Sequence, residues 1–194
     1  MDINARIAAR VSALRREREL SLDALAAKCD VSRSMISLIE RGQSSATAVV
    51  LEKLAAGLGV TLSSLFEDPA PVASPVMRRA DQPEWRDPQS GYLRRNVSPP
   101  NTVSPIQIVE VEFPAGARVA YESGALRSDA RHSDARRIHH QVWVLEGRID
   151  ITVGNETHAL ATGDCIAFEL DRPTAYHNPH RKPARYAVVI TTDQ

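Results

Sequence analysis

The sequence predicts two domains of different class: an all-α domain of five short helices, then an all-β domain built as an antiparallel sandwich or barrel. Three observations predict this. Apolar residues recur at three- and four-residue spacing from residue 3 to 66, and eight of the twelve prolines lie between Glu67 and Pro105. From Ile106 onward, short alternating or apolar runs are punctuated by Gly, Asn and Pro. At 194 residues the chain has room for two such cores. The expected boundaries are 1–67 for the helical domain, 68–75 for a Pro-rich linker inside EDPAPVASP, and 76–194 for the β domain.

Each predicted helix has its own start and stop signals. Ile3, Ile7, Val11 and Leu14 mark one face of the first. Ser21 caps the second, where Ala24 leaves the capping box incomplete and Leu22, Leu25 and Ala26 supply the inner face. Ser32 caps the third, which runs to about Arg41 and is stopped by Gly42. Thr47 opens the fourth, with Val50, Leu51, Leu54 and Leu58 apolar and Gly59 ending it, and Thr61 caps a fifth containing Leu62, Leu65 and Phe66.

In the second half PVMRRA and SGYLRRNV read as edge strands. IQIVEVEF, VWVLEG, RIDITVG, ETHALATG, DCIAFEL and ARYAVVIT read as the main strands. The polar stretch 122–137 lacks periodicity and reads as a long exposed loop, whose Arg127, Arg131, Arg136 and Arg137 are solvated or, alternatively, recognise an anion. There is no internal repeat.

Composition excludes some functions. No apolar run approaches the roughly 20 residues of a membrane span, and the N-terminus lacks the continuous apolar stretch of a signal peptide, so a cytoplasmic protein is expected. Cys29 and Cys165 fall one in each domain in apolar surroundings, which predicts two small core residues and no disulfide. Net charge is zero, and residues 1–66 carry nine Lys or Arg against seven Asp or Glu. So weak a bias means that any case for nucleic acid must rest on a motif.

That motif is LSLDALAAKCDVSRSMISLIERG, residues 20–42: two short helices about a tight turn at Cys29, Asp30 and Val31. Val31, Ile36 and Ile39 face inward against Leu25 and Ala26, while Ser32, Arg33, Ser34 and Ser37 project from the third helix, whose width fits the major groove. From about Ile7 to Phe66 the chain resembles the xenobiotic-response-element family of repressors, with the lambda-repressor-like five-helix fold, and VSRSMISLIERG is the most specific part. The resemblance implies that Ser32, Arg33, Ser34 and Ser37 meet the groove of a double-stranded DNA operator, with Arg41, Gln43 and Ser44 near the phosphates. Leu22 stands where the family often has a DNA-contacting glutamine, and Asp30 replaces the turn glycine, at some conformational cost. A protein-binding module on the same fold is the alternative. One recognition helix per chain implies a homodimer on a palindromic site.

Residues 139–179 resemble a cupin, a double-stranded β-helix or jelly-roll barrel, through VWVLEG at 142–147 and GDCIAFELDRPTAYHN at 163–178. Gly147 and Gly163 occupy tight-turn positions. The resemblance implies a divalent metal held by histidines and a carboxylate, but the ligand pattern is largely lost. His140 takes the glutamate position, Asp134 and Arg136 fall at or near the preceding histidines, and Thr174 replaces the later histidine although Asn178 remains. No metal or other cofactor is therefore expected, with a loop site of His132, Asp134 and His140 as the alternative.

The barrel mouth offers His140, Trp143, Thr174, Tyr176 and His177 to a small-molecule effector. Alternation puts His140 with Val142 and Val144, and Trp143 with His139 and Gln141, so they do not all line one cavity. Trp143 and Trp85 read as core or dimer-interface residues more readily than as ligand platforms. The expected function is an effector-responsive transcription regulator, not an enzyme. The alternatives are a metal-dependent cupin enzyme joined to a DNA-binding domain, or a barrel that only dimerises.

Overall fold

The computed structural model describes residues 2–66, 74–100, 102, 104–122 and 137–192. The chain divides into two compact units, Met1–Val72 and Ala73–Gln194. The expected linker lies largely, and the arginine-bearing loop except for Arg137 and Glu122, outside the described residues.

The first unit has four α-helices among the described residues: α1 (Ile3–Glu17), α2 (Leu22–Cys29), α3 (Arg33–Glu40) and α4 (Ala48–Leu58). Their starts follow from local chemistry. The hydroxyls of Ser21, Ser32 and Thr47 accept from the backbone N–H of Ala24, Met35 and Val50 at 3.0, 3.2 and 3.4 Å. Each thereby satisfies a donor that a helix start leaves open. At the other ends Gly42 and Gly59 both take a φ of 66°, and Asp30, closing α2, takes a φ of 51°. Asp30 therefore does adopt the left-handed turn conformation that a glycine adopts more easily.

The expected fifth α-helix is a 3-10 helix, Leu62–Phe66. Thr61 caps it, its hydroxyl accepting from Ser64 N at 3.3 Å, but five residues are too few to complete a stable α-helical ladder. Its Leu65 and Phe66 are still buried in the core formed with Val11, Leu25, Ile36, Leu51 and Leu54.

The second unit contains ten strands among the described residues: β1 (Glu84–Arg86), β2 (Leu93–Asn96), β3 (Ile106–Phe113), β4 (Arg118–Tyr121), β5 (Ile138–Glu146), β6 (Arg148–Val153), β7 (Glu156–Ala161), β8 (Cys165–Glu169), β9 (Thr174–His177) and β10 (Ala184–Thr192). They form a six-stranded sheet in the order β1-β2-β3-β10-β5-β8 and a four-stranded sheet in the order β4-β9-β6-β7. All the pairings are antiparallel.

Of the two expected edge strands, SGYLRRNV contains β2, whereas PVMRRA is not a strand and runs into a 3-10 turn at Arg79–Asp81. The edge strand beside β2 is instead β1, EWR. Gly147, with a φ of 82°, turns β5 into β6 where a Cβ would stand 2.7 Å from Pro183 O, so no side chain fits there. Asn178 is fully buried and pins the turn before β10: its Nδ2 donates to Lys182 O at 2.9 Å and Phe113 O at 3.3 Å, and its Oδ1 accepts from His180 N at 3.1 Å. That residue is structural.

Cys29 is buried and its thiol pKa is pushed up by that burial, but Cys165 is exposed, correcting the expectation of two core cysteines. Cys165 is the Cα partner of Trp143 on the outward side of the sheet.

Candidate DNA-reading surface and barrel interior

α3 presents its N-terminus and one flank to solvent. Ser32, Arg33, Ser34, Arg41 and Gln43 are exposed, Ser37 and Ser44 are half-buried, and Ile36 and Ile39 point into the core. The side chains of this surface differ in how free they are. Arg33 Nε lies 3.4 Å from Asp23 Oδ1 in a pair whose side chains are both mostly exposed, so water competes strongly for both groups. Ser32 Oγ is committed to capping and also sits 3.1 Å from Ser34 Oγ. Arg41 folds back, its Nε donating to Ser37 O at 3.1 Å near the helix C-terminus, where positive charge is favoured.

Met35 belongs to this surface and was absent from the expected set. It is 36% exposed, unusually so for a large apolar residue, and Ser44 Oγ approaches its sulfur at 3.9 Å. The sequence set it apart by no signal, because Met35 stands at i, i+4 spacing from Ile39 and reads as part of the core face.

In the β unit, register decides what faces inward. Arg94, Val111, Tyr186 and Val144 are successive Cα partners across β2, β3, β10 and β5, and all four are buried. The next inward row along the sheet toward the start of β5 contains Asn96, Val109, Val188 and Val142. Beyond it Ile190, His140 and Phe168 share a row, with the rings of His140 and Phe168 5.6 Å apart. His140 thus stands about 13 Å along β5 from Val144, given roughly 3.3 Å per residue.

From the facing sheet, β9 turns Thr174 and Tyr176 inward and Ala175 and His177 the other way. Tyr176 stacks on Tyr186 with centroids 5.9 Å apart and meets Tyr121 edge-on at 6.1 Å. Tyr92 stacks on Phe113 at 5.7 Å, and its hydroxyl lies 3.1 Å from that of Tyr121. The result is a cluster of four tyrosines around Arg94, which is only 7% exposed. Burial lowers the pKa of the guanidinium, while the neighbouring phenols Tyr92, Tyr121, Tyr186 and Tyr176 oppose that shift. Burial also pushes all four phenols up, so they remain protonated at neutral pH.

Of the five residues expected at the effector site, Thr174 and Tyr176 join this cluster. His140 faces inward but two rows away. Trp143, 52% exposed, and His177 stand on outward faces, because alternation sends them opposite to Val144 and Tyr176. Arg94, Tyr92, Tyr121 and Tyr186 were missed. Tyr92 and Arg94 do carry a period-two signal in YLRR, but nothing local links them to residues 121 and 186.

Among the described residues no three His, Cys, Asp or Glu side chains are grouped to hold a metal ion, so the metal that a cupin implies has no fitting donor set there. His132 and Asp134 lie outside the described residues. No helix among the described residues is long and apolar enough to cross a membrane.

Comparisons agree with both halves. Residues 11–65 match the helix-turn-helix family and residues 117–190 the cupin domain family. The HTH-type transcriptional regulator SutR of Escherichia coli (strain K12) is 26% identical over 184 residues, covering 91% of this chain and 89% of its own length. Control protein C.MunI of Mycoplasma sp is 44% identical over 68 residues, which is 34% of this chain and 92% of that protein. The crystal structure of an HTH_3 family transcriptional regulator from Vibrio cholerae superposes with a TM-score of 0.75 at 25% identity, covering 99% of this chain and 98% of that one. The chain belongs to the helix-turn-helix family of transcription regulators, in the form that carries a cupin domain C-terminal to the DNA-binding one.

Proposed function

We propose that this DNA-binding regulator is a homodimer whose cupin barrel takes up a small-molecule effector and thereby changes operator affinity. The observation that carries the effector reading is the barrel interior. Arg94, Thr174 and four tyrosines bring a few polar groups onto the inner faces of an otherwise apolar β unit, the mixture that small-molecule sites use. A ligand that binds one arrangement of the dimer better than another shifts the distance between its two recognition helices, and operator affinity follows by linkage. No catalytic step is assigned to the barrel.

The dimer reading rests on α3 and on the outward face of the six-stranded sheet. A single recognition helix reads one half-site, and specific affinity in this fold comes from two. Ile108, Val189, Gln141 and Ala167 lie outward in one row of that face, and Arg95, Glu110, Ala187, Trp143 and Cys165 in the next. Ile106, Ile108 and Trp143 are all more than a third exposed on this mixed face, apolar anchors that a second copy of the chain would cover.

The test is to map bound DNA across the genome, recover the operator, and titrate the full chain on it with and without the low-molecular-mass fraction of the cells that express it. The expected result is a change of ten-fold or more in operator affinity. An affinity indifferent to that fraction would reduce the barrel to a dimerisation module. Stoichiometric iron, manganese or zinc in the purified chain would favour an enzyme instead.

A further inference from the structure

The second residue of α2 reaches the first residue of α3. Asp23 Oδ1 lies 3.4 Å from Arg33 Nε, and both side chains are mostly exposed beside the capped start of α3. Nε is the guanidinium nitrogen that meets the carboxylate, which leaves the two terminal NH2 groups, with two N–H each, for another partner.

A carboxylate on a surface that meets DNA is disfavoured by the phosphates, so Asp23 weakens binding to any sequence unless it does something there. In the free protein its pair with Arg33 contributes little, because water screens it. Against DNA that water is displaced, and the attraction between the two charges grows as the effective dielectric falls. The side chain of Arg33 is long and loses much rotamer freedom when it is fixed on a base. A carboxylate that already holds one edge of the guanidinium reduces that loss and sets the plane in which the other edge is offered. The major-groove edge of guanine presents O6 and N7, two acceptors that one guanidinium reaches together.

We infer that Asp23 is a positioning residue for DNA reading: its carboxylate holds Nε of Arg33 so that the two terminal NH2 groups meet O6 and N7 of a guanine. This rests on Arg33 reading a base edge.

The full chain first enriches duplexes from a random-sequence pool. Fluorescence anisotropy is then measured on the enriched duplex, on its single base-pair variants and on a scrambled duplex. Arg33→Ala is expected to lose discrimination at one G·C pair, and 7-deazaguanine there, which lacks the N7 acceptor, to weaken the wild type several-fold. Asp23→Ala is expected to weaken the enriched duplex several-fold and to lose discrimination at that same pair. At low salt it is expected to bind the scrambled duplex more tightly, because a negative charge has been taken away from the phosphates. Combined with Arg33→Ala it should cause no further loss on the enriched duplex, since the two residues act through one contact. Asp23→Asn keeps an acceptor oxygen at the same reach and is expected to retain part of the discrimination.

A carboxylate that served only the dipole of α2 would, when removed, loosen the helix and weaken both duplexes together. That outcome, or discrimination that survives Asp23→Ala, overturns the positioning role, although base reading by Arg33 then stands. If Arg33→Ala flattens no position, or one that is not a G·C pair, the guanine contact falls and the positioning role falls with it.

Discussion

Arg15 and Glu40 form a two-pronged ion pair: Arg15 Nε donates to Glu40 Oε1 at 2.6 Å and Nη2 to Oε2 at 2.9 Å. The pair joins α1 to the last turn of α3, and Arg15 Nη1 also donates to Leu20 O at 2.8 Å, so one guanidinium holds three elements. The two side chains are only 14% and 10% exposed, and the hydrogen bonds to Glu40 raise the Arg15 pKa. The angle at which α3 is offered to DNA therefore depends on a polar clamp as well as on Ile36 and Ile39. Glu40→Ala is expected to lower the stability of the helical unit by about 1.5–3 kcal/mol, the range for hydrogen bonds to charged groups. Urea unfolding of the full chain followed at 222 nm checks this. Arg15→Lys should recover little, since an ammonium does not make the two parallel bonds.

Arg33 and Arg41 should fail differently on DNA. Arg33 has only a weak exposed partner in Asp23, so it is available to a base edge. Arg33→Ala is expected to weaken operator binding by roughly ten-fold or more and to relax preference at one base pair, as the loss of a bidentate base contact does. Arg41→Ala should weaken all sequences alike and lower the salt slope by about one. Fluorescence anisotropy at several salt concentrations, on operator and scrambled DNA, separates the two. Ser32→Ala is a poor probe, because its hydroxyl caps α3 and its loss costs about 1 kcal/mol of folding on its own.

How much of this was legible in the sequence depended on whether the information was local. Ser21, Ser32, Thr47, Thr61, Gly42, Gly59 and Asp30 act within a few residues of themselves, and every one does in the fold what its position suggested. The tyrosine cluster is the opposite case. Tyr92, Tyr121, Tyr176 and Tyr186 come from different strands or their flanks, and only register brings them together. Alternation separated Trp143 from His140 correctly but carries no sign: it does not say which of the two faces the core. The fifth helix failed for want of length, and EWR was passed over because three residues between Pro83 and Pro88 show no period.

Gly57 should not tolerate alanine, although it lies inside α4 where alanine is normally favoured by about 1 kcal/mol. A Cβ there would stand 2.7 Å from the Cβ of Cys29 and 3.4 Å from its backbone, so α2 and α4 would have to move apart. Gly57→Ala is expected to destabilise the helical unit by about 1–3 kcal/mol, the usual penalty for overpacking. Gly57→Ala combined with Cys29→Ala should be no better, since the clash is with a Cβ that alanine keeps. Unfolding midpoints of the two variants decide it.

Asp30 combines a left-handed backbone with a carboxylate 2.8 Å from Lys53 Nζ, which holds its pKa below the usual carboxylate value. A lowered folded-state pKa means that the pair's contribution is present above pH about 3.9, the unfolded value, and is lost as pH falls through the folded one. Asp30→Gly removes both the conformational strain and the pair. The variant should melt at the same temperature as the wild type or higher at neutral pH, and lose less stability between pH 5 and 2. Melting curves across that range check both statements, and a lower melting temperature at pH 7 would show that the Lys53 contact outweighs the strain.

Trp143 is the residue on which the dimer is expected to turn. It stands in the outward row of Glu110, Ala187 and Cys165, beside the row of Ile108, Val189, Gln141 and Ala167, and exposed aromatic residues on such a face supply a large share of association energy. Trp143→Glu places a charge there without disturbing the inward face, since Val142 and Val144 point the other way. The variant is expected to sediment as a monomer with an unchanged circular dichroism spectrum. Its affinity for a two-half-site operator should fall ten-fold or more, whereas its affinity for a single half-site should not change. Cys165, exposed in the same row, gives an independent reading: if that face is the interface, a maleimide should label Cys165 more slowly in the wild type than in Trp143→Glu. Equal labelling rates with an intact dimer would move the interface elsewhere on the chain.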